Sequence, residues 1–107
     1  MENITKEVML SIKDILSTTL ADDDIKGNAI FEIVKEYAQN GSKEITLDFE
    51  EIELVNTAFL NNAIGKLFDS SSFDLSKCNV LVKGMDETMI ELLTEAIRVA
   101  RQKYLGI

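Results

Sequence analysis

Thr57 is the residue best placed to do chemistry. It follows Asn56 and opens the run Thr57-Ala58-Phe59-Leu60-Asn61-Asn62-Ala63-Ile64-Gly65-Lys66-Leu67-Phe68, whose apolar residues recur at helical spacing. A helix start gathers unpaired N–H groups and partial positive charge, which favours a phosphate or another anion. A hydroxyl there is a phospho-acceptor candidate, and a phosphate on it would add about −1.5 to −2 charge. The same position has a purely structural use, because Asn56 or Thr57 can cap the helix and contribute about 1 kcal/mol. Asp48, on the preceding strand, is a structural acceptor for the Asn56–Thr57 turn or an acid beside a phosphate. Asn56, Thr57, Ala58, Asn61 and Asp48 thus outline a candidate partner or anion surface.

The rest of the chain offers little for catalysis. Histidine is absent, which excludes a His-based triad. One cysteine, Cys78, excludes a disulfide framework and a Cys/His zinc site. Cys78 precedes the apolar Val80-Leu81-Val82 and reads as a partly buried structural thiol. The cluster Asp22-Asp23-Asp24 lacks the spaced ligands, central glycine and distal glutamate of a calcium loop. It reads as a solvated loop whose charge suits the next helix start. No enzyme activity, cofactor or metal is expected.

The elements that must position Thr57 come next. The 107 residues suffice for one domain spanning 1–107, and 46% hydrophobic with 7% aromatic residues gives an aliphatic core. Formal net charge is −8, and the eleven Lys and Arg are scattered, so nucleic acid and anionic membrane are not expected partners. Arg98, Arg101 and Lys103 fall late in a helix, where cations suit the dipole. No apolar run reaches the length of a membrane span. The first seven residues lack a signal-peptide pattern, and the expected compartment is the cytoplasm.

Val8 to Leu16 reads as a strand, and Ser17 to Asp24 as a loop with room for a helical turn. A helix follows, marked by Ile25, Ala29, Phe31, Ile33, Val34, Tyr37 and Ala38; positions 29, 33, 34 and 37 give it one apolar face. Gly27 belongs in its first turn or at a close packing contact, and Gly41 caps its end. Ile45, Leu47 and Phe49 share one face of the next strand. The motif helix spans about Thr57 to Asp69, where Asp69-Ser70-Ser71-Ser72 breaks it, and Gly65 allows close approach of another helix or of backbone. Asn79 to Lys83 is a strand. A last helix starts near Asp86, with Met89, Ile90, Leu93, Ala96, Ile97, Ala100 and Tyr104 at three-to-four spacing. The order is β-α-β-α-β-α, with a short extra strand at residues 2–7 as an option. Such alternation favours an α/β fold with parallel strand pairs and helices mainly on one face. The other face, or an edge, is then a partner surface. Val99 and Leu105 lie off the last helix's stripe and offer a dimer contact.

At these residues the chain resembles a known family. Ile45-Thr46-Leu47-Asp48-Phe49, an apolar connection, then Asn56-Thr57-Ala58-Phe59-Leu60 and Gly65 resemble the STAS domain (sulfate transporter and anti-sigma factor antagonist). Closer still is a STAS-like family of unknown function with the segment S-F-L-x-E-x-F-G-x-L, read here as Ala58-Phe59-Leu60-Asn61-Asn62-Ala63-Ile64-Gly65-Lys66-Leu67. The likeness extends more weakly from about Val8 to Ala100. It implies a STAS-like mixed sheet and a bacterial regulatory domain that works by binding proteins. In anti-sigma factor antagonists, an ATPase-type Ser/Thr kinase phosphorylates a hydroxyl in the pattern D-S-S-G-L, which blocks the complex. By position Thr57 matches that hydroxyl and Leu60 is retained, while Asn56, Ala58 and Phe59 depart. By the same resemblance, the chain is expected to lack the final strand and helix of full-length STAS domains. The expectation is a non-enzymatic interaction module, monomeric or homodimeric, whose partner is such a kinase or another regulator. The alternative is a small anion- or nucleotide-binding domain using the same helix start, although no Gly-rich phosphate loop precedes it.

Overall fold

The computed structural model describes residues 7–107. The optional strand at 2–7 lies, but for Glu7, outside them. The chain runs through β1 (Glu7–Ser11), α1 (Ile12–Leu16), β2 (Leu20–Ala21), α2 (Asp24–Gln39), β3 (Glu44–Asp48) and β4 (Leu54–Val55). Then come α3 (Thr57–Ala63), a 3-10 turn (Gly65–Phe68), β5 (Asn79–Lys83) and α4 (Glu87–Leu105). β1, β3 and β5 form a parallel sheet in the order β1-β3-β5, and β2 pairs with β4, also parallel. This is the α/β fold expected, with every described strand pair parallel.

Alternation along the strands decides which face is covered. Val8 and Leu10, Ile45 and Leu47, and Val80 and Val82 turn towards the helices. Ile45 and Leu47, on the central strand, are fully buried. The cross-strand row Met9, Thr46 and Leu81 turns the other way, and Met9 stays 59% exposed. Beyond the strand, Phe49 meets Phe59 of α3 edge-to-face at 6.2 Å, and both rings are fully buried. Such a pair contributes about 0.5–1.5 kcal/mol beyond its buried area.

Several local expectations change. The chain from Val8 does not stay extended to Leu16. Ser11 turns it, accepting a hydrogen bond from the Asp14 N–H at 3.2 Å, and α1 follows until Ser17 enters the left-handed region at φ 56°. The acidic stretch after it contains β2. The buried stripe of α2 is Gly27, Ile30, Phe31 and Val34, whereas Ile25, Ala29 and Tyr37 are exposed. Gly27 explains the offset: a Cβ there would lie 2.4 Å from the Phe59 carbonyl oxygen, so α2 and α3 touch through backbone. The motif helix does not run unbroken to Asp69. It stops at Ala63, and the 3-10 turn takes over, its Lys66 ammonium bonded to Asn28 Oδ1 at 2.6 Å and lying 5.5 Å from the Phe31 ring centre. On α4, Ile90 is half exposed, and Met89, Ala96 and Ala100 are the buried contacts.

Candidate functional site

β2 and β4 lie side by side, Leu20 against Leu54 and Ala21 against Val55. Each strand leads into a helix: β2 into α2 and β4 into α3. Two helix starts are therefore adjacent. Asp23 caps α2, its Oδ1 accepting from the Lys26 N–H at 2.7 Å. Asn56 caps α3, its Oδ1 accepting from the Phe59 N–H at 3.0 Å. The Asn56 Nδ2 donates to the Asp22 carbonyl at 2.7 Å, which joins the two starts directly.

Asn56 takes the capping duty, and the Thr57 hydroxyl takes no part in the cap. Thr57 is the first residue of α3 and is exposed, as is Ala58. No hydrogen bond joins the Thr57 hydroxyl to another described residue. Asn61, one turn on, shares its face and is exposed. Asn56, Thr57, Ala58 and Asn61 are thus brought together at one end of α3.

Asp48 is not part of that group. Its Oδ1 accepts from the Glu50 N–H at 2.9 Å, two residues along, and faces the Gly84 turn rather than the Asn56–Thr57 turn. An aspartate readily bonds the N–H two residues ahead, and this local partner wins over the distant one.

The start of α2, joined to that of α3 through Asn56, is acidic. Asp22 pairs with Lys26 at 2.8 Å, and Lys26 also lies 3.9 Å from Asp23. The Lys26 ammonium, hydrogen-bonded to the Asp22 carboxylate, holds Asp22 below the usual carboxylate range and is itself raised. Lys26, Leu20 and Leu54 join the site only in three dimensions. Leu20 and Leu54 are exposed apolar neighbours of the two helix starts, and Ile25, 77% exposed, lies in the first turn of α2. Their signal was present: two apolar dipeptides, Leu20-Ala21 and Leu54-Val55, are each followed at once by a polar capping segment.

Cys78 is buried, and burial pushes its thiol up, with Lys43 pulling weakly the other way. A raised thiol stays protonated near neutral pH and is a poor nucleophile. Among the described residues no group of His, Cys, Asp or Glu side chains could hold a metal ion. None of the described helices is long and apolar enough to cross a membrane.

No curated protein and no solved structure matches the chain. The family model for the STAS-like domain of unknown function (DUF4325) matches residues 26–89. That span is narrower than Val8 to Ala100; it runs from α2 through β3, β4, α3 and β5 into the first turn of α4. More than half of the residues lie inside the match, and the chain belongs to this family of STAS-like domains.

Proposed function

We propose that the chain is a non-enzymatic bacterial regulatory module of the cytoplasm that binds a protein partner through the start of α3 and is switched by phosphorylation of Thr57. One observation carries the reading: Asn56 caps the helix, so the exposed Thr57 hydroxyl has no structural task. The apolar, exposed Leu20 and Leu54, paired in the strands that lead into α2 and α3, offer contact area, and the family resemblance supplies the kind of partner, an ATPase-type Ser/Thr kinase.

In the switching step the Thr57 oxygen bonds to the γ-phosphorus of ATP. The hydroxyl proton passes to a base on the kinase, and ADP leaves. The phosphate would add about −1.5 to −2 charge next to the carboxylates of Asp22, Asp23 and Asp24. A partner docked on Leu20 and Leu54 would then face a charge that is costly to strip of water.

The test reads modification and binding together. Phosphopeptide mass spectrometry of the protein from its native host should find phosphate on Thr57. Thr57→Glu should lose a partner that the parent and Thr57→Ala both retain. If Thr57 is never modified and Thr57→Glu binds as the parent does, the switch is wrong. A rise in melting temperature with ATP or GTP alone would favour a nucleotide-binding domain instead.

A further inference from the structure

The sheet order β1-β3-β5 leaves one side of β5 without a neighbour among the described strands. The Asn79 N–H donates to the Lys43 carbonyl, and the Lys83 carbonyl accepts from the Phe49 N–H, each at 2.9 Å. In a parallel strand the backbone groups of successive residues point alternately to the two sides. Asn79, Leu81 and Lys83 therefore face β3. The N–H and C=O groups of Val80 and Val82 point outward, and no hydrogen bond to another described residue engages them. The side chains of Val80 and Val82 line an apolar cleft of about 100 Å³ with Leu75, Leu93 and Ile97, all of them partly exposed. Outward donors, outward acceptors and apolar side chains beneath them call for one more strand.

We propose that the added strand is β5 of a second copy of this chain, antiparallel across a two-fold axis at Leu81. In that register the N–H and C=O of Val80 meet the C=O and N–H of Val82 of the copy, and the reverse. Every outward backbone group of the two valines is then bonded. Leu81, 46% exposed, lies against its own equivalent on the open face of the sheet. Charge favours this edge for a second copy. At a net −8 the chain repels its own kind over most of its surface. β1 carries Glu7, and β3 carries Glu44 and Asp48, but β5 reads Asn79-Val80-Leu81-Val82-Lys83 and holds no acid. The register sets Lys83 beside Asn79 of the copy, so no like charges meet. The product is a continuous six-stranded sheet with both helix layers on one side.

Sedimentation equilibrium on the full chain, from micromolar to millimolar concentration, tests this. The mass should rise from 12.0 kDa to twice that value. Asn79→Glu places a carboxylate beside Lys83 twice over and should tighten the dimer about three- to tenfold, while Asn79→Lys should loosen it by a similar factor. Val82→Pro removes an outward donor, which an edge strand tolerates, and should leave a folded monomer. Should Val82→Pro not fold, the exposed Asn79 variants still decide the matter. A mass fixed at 12.0 kDa overturns the proposal. So does a dimer indifferent to both Asn79 variants, or a different protein found bound along β5 of a monomeric chain.

Discussion

Asn56 does two jobs with one amide, and this makes it the most consequential polar side chain at the candidate site. Its oxygen caps α3 and its nitrogen holds the Asp22 carbonyl. Asn56→Ala removes both bonds and should cost about 1–3 kcal/mol, a cap plus a part-buried hydrogen bond. Asn56→Asp keeps the cap but loses the donor, and should fall between the two. Urea unfolding of the three proteins checks the order; equal midpoints for Asn56→Ala and the parent would show that neither bond stabilises the fold. Thr57→Ala at the next position should leave stability within about 0.5 kcal/mol of the parent, as surface changes do. The contrast separates a structural residue from a neighbour free for function.

At the scale of elements, carboxylates that accept hydrogen bonds before α2 and after the 3-10 turn should lose them in acid. Asp22 is held low by Lys26, and Asp69 is held low by the Ser71 hydroxyl and N–H. A carboxylate lowered on folding binds fewer protons in the native state than in the unfolded one. Its contribution is complete above the unfolded value, about 3.9, and disappears as pH falls through the lower folded value. Melting temperature should therefore drop below about pH 4, and Asp22→Asn should remove part of that slope. An unchanged acid limb in Asp22→Asn would mean that the exposed pair contributes nothing, as many surface pairs do. Long periodic elements were legible in the sequence: β3, β5 and α4 lie where their patterns put them. α1 was not, because Ile12 fits both the alternation of Val8 and Leu10 and the helical spacing of Ile15 and Leu16. The buried face of α2 was misread because its stripe begins at Gly27, which carries no apolar side chain to count. β2 and β4 have two residues each, too few for any period, and form only because each pairs with the other. At the candidate site the helix start was readable, whereas the turn that claims Asp48 depends on local geometry that no spacing rule shows.

For the whole molecule, a line of fully buried residues runs from β3 in the centre of the sheet through Phe49 to Phe59 and Leu60 of α3. Amide hydrogen exchange should be slowest in β3, at Ile45 and Leu47, and fastest in α1 and the β2–β4 pair, where each element is short and partly exposed. Uniform protection across all of these would mean a single cooperative unit with no weaker periphery. The direct bond between Asn56 and the Asp22 carbonyl has one more consequence. Neither an amide nor a peptide carbonyl takes up or sheds a proton in mild acid, so this latch is blind to pH while the ion pair beside it is not. In an acidified solution the salt clasp of Asp22 and Lys26 opens first, and the entrances of α2 and α3 remain pinned together.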